Sequence, residues 1–163
     1  MLTLGIDPGT ATTGYGLVEG RGDRLTLVEC GILTTPAGEP LPRRLQEIYA
    51  GLTRLVQEKR PDNAAVEELF FSQNARTALA VGHARGVTLL AVTMMGVPVF
   101  EYTPLQVIQA VTGYGRASKA QVQSMVRVLL RLDAVPQPDD AADAFAIAIC
   151  HLHSFNLRQK LGI

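Results

Sequence analysis

Cysteine is scarce in this chain: Cys30 and Cys150 are the only two, they stand far apart, and neither belongs to a CxxC or Cys/His ligand spacing. That argues against a disulfide scaffold or a structural zinc site and matches reduced thiols in the cytoplasm. Long apolar runs are missing too. Stretches such as Val87 to Val92 fall far short of the ~20 residues that span a bilayer, and the N-terminus has neither the basic start nor the cleavage site of an export signal. Neither membrane association nor export is expected. Net charge is formally zero over 163 residues, a sum that speaks neither for nor against a polyanionic partner. Internal repeats and low-complexity linkers are also absent. With 47% hydrophobic content, 163 residues suit one well-buried core, so a single domain over 1–163 is expected.

The charges are unevenly placed. Between Gln73 and Leu132 six basic residues (Arg76, Arg85, Arg116, Lys119, Arg127 and Arg131) accompany one acid, Glu101, while the flanking segments are net acidic. A basic middle between acidic parts suits an acidic metal site beside a phosphate-binding surface. A solvated helix face with surplus arginines accounts for it equally well.

Hydrophobic patterning predicts three strands, Leu2 to Ile6, Thr13 to Val18 and Leu25 to Leu33, joined by turns at Pro8-Gly9 and Gly20-Arg21-Gly22 and therefore antiparallel. From Pro42 to Lys59 the apolar positions Leu45, Ile48, Tyr49, Leu52, Leu55 and Val56 share one helical face. Asn63 to Glu67 reads as a strand that returns after a helical crossover, parallel to a neighbour. A helix from about Ala75 to Met95, with a Gly82-x-x-x-Gly86 pair, leads to a fifth strand at Val97 to Tyr102. Thr103-Pro104 opens the next helix, and Ser118 caps one from Lys119 to Leu132. A last helix runs from about Asp140 to His153, with an Ala-rich interior. The predicted class is α/β, a mixed five-stranded sheet flanked by helices.

Asp7 is the costly residue. It ends an apolar strand in Gly5-Ile6-Asp7-Pro8-Gly9-Thr10, where an unpaired carboxylate loses several kcal/mol of hydration unless a cation or hydrogen bonds compensate it. Glu67 ends a second apolar strand. Asp140 and Asp143 fall at i and i+3 in the first turn of an apolar helix, on one face with Cβ atoms roughly 5–6 Å apart. If these acids converge they repel one another, and a divalent cation with a preference for hard oxygen ligands, Mg²⁺ or Mn²⁺, restores their ionised form. Each acid also has an ordinary reading: Asp140 or Asp139 as an N-cap, Asp143 as a first-turn acid favoured by the helix dipole, Glu67 as a strand end. Spacing does not choose between Asp139 and Asp140.

Five motifs carry a resemblance. Gly5 to Thr10 with Thr13-Gly14-Tyr15-Gly16, Val66-Glu67-Glu68-Leu69-Phe70 with Asn74-Ala75, His83-Ala84-Arg85-Gly86-Val87, Ser118-Lys119-Ala120-Gln121-Val122, and Pro138-Asp139-Asp140-Ala141-Ala142-Asp143-Ala144 resemble, in order and nearly end to end, the RuvC family of Holliday-junction resolvases. The resemblance implies a ribonuclease H-like fold, a homodimer, dependence on Mg²⁺ or Mn²⁺, and paired nicking of two like-polarity strands at a four-way DNA junction in recombination and repair. It implies catalytic and metal-binding acids at Asp7, Glu67, Asp140 and Asp143, the choice of Asp140 over Asp139 included. It also implies a lysine near the scissile phosphate at Lys119 and an aromatic that meets an unpaired base at Phe70. A branch-migration partner, the RuvA–RuvB complex, is implied in the same way.

The expected chemistry is phosphodiester hydrolysis with two ions roughly 3.5–4 Å apart, Asp7 shared between them, leaving a 5′-phosphate and a 3′-hydroxyl. Arg76, Arg85 and Arg116 are candidates for contacts to the DNA backbone. His83, His151 and His153 are read as structural or surface residues. Three rival readings stand beside junction cleavage: a ribonuclease H-like nuclease acting on RNA; a junction-binding protein without nuclease activity, which all four acids argue against; and a nucleotide-binding module of the actin and sugar-kinase type, whose phosphate loop is similar to GIDPGT but which needs two such domains around a cleft.

Overall fold

The computed structural model describes residues 1–68 and 75–162. Its elements are β1 (Leu2–Asp7), β2 (Thr12–Arg21), β3 (Arg24–Thr34), α1 (Leu41–Lys59), β4 (Asn63–Glu67), α2 (Ala75–Met94), β5 (Val99–Tyr102), α3 (Pro104–Thr112), α4 (Lys119–Leu129) and α5 (Asp139–Leu161). The sheet order is β3-β2-β1-β4-β5. β1, β2 and β3 pair antiparallel, while β4 runs parallel to β1 and β5 parallel to β4. The mixed five-stranded sheet expected from the patterning is therefore observed.

Each strand face has its own core. Leu4 and Ile6 of β1, Leu17 of β2 and Ala64 and Val66 of β4 pack with Ile48, Leu52, Ala91 and Val92 of α1 and α2. On the opposite face Val18, Ala65 and Tyr102 pack with α3, α4 and the buried run Phe145 to Cys150 of α5. Alternation along each strand sends Asp7 and Glu67 to this second face. β1 is buried on both sides and paired on both edges, which is why it reads as an almost continuous apolar run.

Caps explain several boundaries. Thr103 with Gln106 and Ser118 with Gln121 form reciprocal capping boxes that start α3 and α4. α1 ends where Arg60 turns left-handed at φ 50°. α4 stops at Leu129, three residues before the expected end at Leu132, because Arg131 adopts φ 55° and the Leu132 amide donates back to the Arg127 carbonyl. That turn lets Leu132 pack on the core. α5 runs eight residues beyond the expected His153, and its last turns are held to the β2–β3 hairpin. There Asn156 Nδ2 donates to the Gly22 carbonyl at 2.9 Å and Lys160 pairs with Asp23 at 2.8 Å. The hairpin turn itself is Gly22-Asp23, with Gly22 at φ 58°; of the expected Gly20-Arg21-Gly22 turn only Gly22 takes part, and Gly20 and Arg21 stay paired in β2.

His151, 1% exposed on α5, shares a 2.8 Å hydrogen bond with the Tyr102 hydroxyl through Nδ1 and lies against Phe100, with ring centroids 4.5 Å apart. Burial and then Arg158 push its pKa down to about 4. A folded pKa below the unfolded value means that this contribution is full above about pH 6.5 and is lost as pH falls toward 4, an effect of about 3 kcal/mol. His151→Gln is expected to flatten the decline in stability between pH 6.5 and 4, measured by urea unfolding; an unchanged slope would contradict this assignment.

Candidate active site

The carboxyl ends of two parallel strands and the start of one helix meet at a single cleft of about 240 Å³. Asp7 is the last residue of β1 and Glu67 the last of β4. Since Ile6 pairs with Val66, the two acids stand on neighbouring strands at the same level, on the same face. Binding sites of open α/β sheets lie at such carboxyl ends. Asp143 and Lys119 also line the cleft. Its remaining wall, from Val107 and Ile108 of α3, Val122 of α4 and Ala146 of α5, is apolar.

Glycines bring α5 so near. A Cβ on Gly14, the residue paired with Asp7, would stand 2.1 Å from the Asp140 carbonyl oxygen, and one on Gly5 would stand 2.0 Å from that of Ala144. A Cβ on Gly16 would meet the Phe145 ring at 2.6 Å. The helix backbone therefore rests directly on β1 and β2, with its first turn beside Asp7. Neither acid of that turn is a cap: the N-cap is Pro138 and no side chain caps the helix, so the ordinary reading of Asp139 and Asp140 does not describe the structure.

The electrostatics follow from crowding in a partly dry cleft. Asp7 is raised to about 6, by burial first and then by Asp143 and Asp140, with Lys119 pulling the other way. Glu67 is raised to about 7, by burial, then Asp7 and Asp143. The Lys119 ammonium donates to Asp143 Oδ2 at 2.9 Å and lies 3.8 Å from Asp139; its hydrogen bond to Asp143 raises its pKa. Asp140 does not line the cleft, yet its charge is felt by Asp7. Among the described residues no three His, Cys, Asp or Glu side chains stand close enough together to hold a metal ion as they are placed; Asp7, Glu67 and Asp143 line the cleft, where the charge of Asp143 raises the pKa of both other acids and that of Asp7 raises Glu67. Hard oxygen donors, an excess of negative charge over one lysine, and two carboxylates held near neutral pKa are a donor set that fits divalent cations.

The other candidates fall elsewhere. Arg116 is exposed in the loop before α4. Arg85 of α2 is turned inward, bonded to the Glu67 carbonyl and to Glu101. Phe70 and the Arg76 side chain lie outside the described residues. His151 is in the core on α5, and His153 shares a 2.9 Å hydrogen bond with the Ala110 carbonyl; neither lines the cleft. The residue-by-residue reading missed the glycine seam, although glycines spaced by two within a strand are a sign of close backbone approach.

Known proteins match this arrangement over its whole length. A profile of the family described as crossover junction endodeoxyribonuclease RuvC matches residues 3–151. The chain belongs to the RuvC family. The RuvC of Pelotomaculum thermopropionicum is 58% identical over 163 residues, covering 100% of this chain and 99% of that one, and the RuvC of Chloroflexus aurantiacus is 57% identical with the same coverage. Among solved structures, T. thermophilus RuvC in complex with a Holliday junction substrate superposes with a TM-score of 0.92 at 39% identity, covering 96% of each chain. A yeast mitochondrial Holliday junction resolvase, at 14% identity and a TM-score of 0.72 over 98% of this chain and 80% of that one, shares the fold. As a member of this family, the chain is an endodeoxyribonuclease. Among its described residues no helix is long and apolar enough to cross a membrane.

Proposed function

We propose that this chain, acting as one unit over 1–163, resolves four-way DNA junctions in recombination and repair by nicking two strands of like polarity, with Asp7, Glu67, Asp140, Asp143 and Lys119 as the catalytic group. The observation that carries this reading is the convergence of Asp7, Glu67 and Asp143 of α5 on one cleft that also receives Lys119. The four carboxylates would hold Mg²⁺ or Mn²⁺, two ions per cleft. Asp7, coupled to Asp140 and Asp143 and felt by Glu67, would be the shared ligand. Bound there, the ions supply an activated water and stabilise the leaving oxygen, consistent with 5′-phosphate and 3′-hydroxyl products.

The residues have further work. Lys119, anchored on Asp143, offsets charge that develops on the phosphate. The apolar wall of Val107, Ile108 and Val122 lowers the polarity on one side of the cleft and so strengthens the charge interactions beside it. Phe70, three residues after Glu67, would stack on an unpaired base at the junction, and Arg116 and Arg76 would contact the DNA backbone.

Paired nicks need two clefts, and two copies of the chain provide them. The outward side of α2 supports such a homodimer: Leu79, Leu90 and Met94 are exposed, and a Cβ on Gly86 would meet open space. The RuvA–RuvB branch-migration complex is the corresponding partner, and the cytoplasm the setting.

Incubating the purified protein with a synthetic four-way junction and with matched linear duplex tests the reading. Symmetric nicks in the junction are expected with Mg²⁺ or Mn²⁺ and none in chelator, with the duplex left intact. Equal cutting of both DNAs, or cutting in chelator, would sink it. Preferential cleavage of structured RNA would move the substrate to the RNA class, and nucleotide binding without DNA cleavage would favour the phosphate-loop module.

A further inference from the structure

The end of β4 is gripped on the side away from the cleft. Arg85 Nε donates to the Glu67 carbonyl oxygen at 3.1 Å, and the same guanidinium pairs through Nη2 with the Glu101 carboxylate on β5. In the β4–β5 register Val66 pairs with Glu101 and Glu67 with Tyr102. Alternation therefore places Glu101 on the face covered by α1 and α2, and Glu67 and Tyr102 on the face covered by α5. One arginine thus ties together α2, the backbone of Glu67 and the neighbouring strand, while the Glu67 carboxylate enters the cleft on the other face. The grip sits where the sheet ends, since the Glu68 amide still donates to the Tyr102 carbonyl at 2.8 Å. The Arg85 side chain is only 19% exposed, and two of its donors are already used. A residue meant for phosphates would instead present its fork to solvent.

We propose that Arg85 is a positioning residue for the nuclease cleft: with Glu101 it clamps the carboxyl end of β4 and so sets where the Glu67 carboxylate stands, instead of contacting DNA. The role rests on the proposed reading of the cleft as the cleavage site. Arginine suits it because a planar fork can bond a carbonyl and a carboxylate at once, whereas a lysine ammonium is a single point of charge. Groups that orient a metal-binding residue without touching the metal typically matter by about 10–100-fold in affinity or rate.

The test compares Arg85→Met, Arg85→Lys and Glu101→Gln in the full-length protein. Four quantities are read: Mn²⁺ affinity without DNA by calorimetry, single-turnover junction cleavage, junction affinity in chelator as a function of salt, and hydrogen exchange of the Glu68 amide. Arg85→Met is expected to weaken Mn²⁺ binding and slow cleavage by roughly 10–100-fold each and to speed Glu68 exchange. Junction affinity and its salt slope should stay within about twofold of wild type, because no phosphate contact is lost. Arg85→Lys should recover part of the loss, and Glu101→Gln should show a smaller loss of the same kind. Weaker junction binding with a shallower salt slope and unchanged Mn²⁺ affinity would overturn the proposal in favour of a phosphate contact; so would wild-type behaviour of all three variants. Should Arg85→Met fail to fold, the other two, which keep a polar partner on each side, carry the same comparison. A wild-type protein that leaves junctions intact would sink the nuclease reading, and Glu68 exchange would still report whether the clamp exists.

Discussion

Asp7→Asn is expected to abolish junction cleavage, by at least ~10³-fold, and at the same time to make the metal-free protein more stable at neutral pH. Both effects have one cause. The carboxylate sits in a partly buried cleft with Asp143 and Asp140 nearby, and its pKa is raised to about 6. A folded pKa above the unfolded value of about 3.8 means that the native state holds this proton more tightly than the unfolded chain does. The stabilisation this provides is present below pH ~4 and is lost as pH rises through ~6. At pH 8 the wild-type protein therefore carries an ionised, poorly solvated acid that asparagine does not reproduce. The variant should gain ~1–3 kcal/mol at pH 8, a rise of roughly 3–10 °C in Tm, and little or nothing at pH 3.

Divalent cation should reverse the comparison. Saturating Mg²⁺ stabilises whichever protein binds it, so the wild type should gain thermal stability on adding Mg²⁺ and Asp7→Asn much less. Thermal melts at pH 8 and pH 3, in chelator and in Mg²⁺, together with the cleavage assay, check all of this. Cleavage that survives the substitution would remove Asp7 from the mechanism. A metal-free protein destabilised by it at pH 8 would refute the electrostatic account.

The second large effect concerns a residue with no chemistry of its own. Gly14→Ala would place a methyl group 2.1 Å from the Asp140 carbonyl oxygen and 3.0 Å from Asp140 Cβ. Both are parts of a helix that cannot yield locally, so α5 must lift off β2 at its first turn. A loss of ~1–3 kcal/mol in stability is expected from overpacking of this kind, and the shift falls on the turn that carries Asp140 and Asp143. Displacing a reacting group by about 1 Å can cost ~10²-fold in rate, so cleavage should fall further than the fraction folded accounts for. Gly20→Ala is the matched control: there the added methyl meets the flexible Leu152 Cδ2 at 2.7 Å, twelve helical residues or about 18 Å further along α5. It should be milder in stability and leave the rate per folded molecule unchanged. Equal kinetic damage from the two substitutions would show that the seam does not act through Asp140.

Much of this arrangement could be read from the chain. The apolar runs of β1 and β4, each ending in an acid, announced buried strands whose carboxyl ends carry something costly. Thr103, followed by Pro104, and Ser118 announced the helices they cap. These signals are legible because each depends on neighbours within a turn or a strand. The length of α5 was not legible: beyond His153 the helix has no simple apolar face, and its final turns are held by Gly22 and Asp23, more than 130 residues away in sequence. Nor was the end of α4, where Arg131 takes a left-handed conformation so that Leu132 can reach the core. Arg85 was a basic residue in a basic segment until Glu101 and the Glu67 carbonyl were seen to hold it.

The sequence by itself determined the class of fold and the family, and it singled out the acids proposed as catalytic, because strand and helix periods, caps and motif spacing are local properties written residue by residue. Only the tertiary structure decided that Asp7 and Glu67 share a face and a level, that the start of α5 reaches them because Gly5 and Gly14 remove the side chains in its way, and that Arg85 faces the protein instead of solvent. Those facts depend on which strand lies beside which and on how closely a helix can approach a sheet. They are fixed by packing between segments far apart in the chain, which no local pattern records.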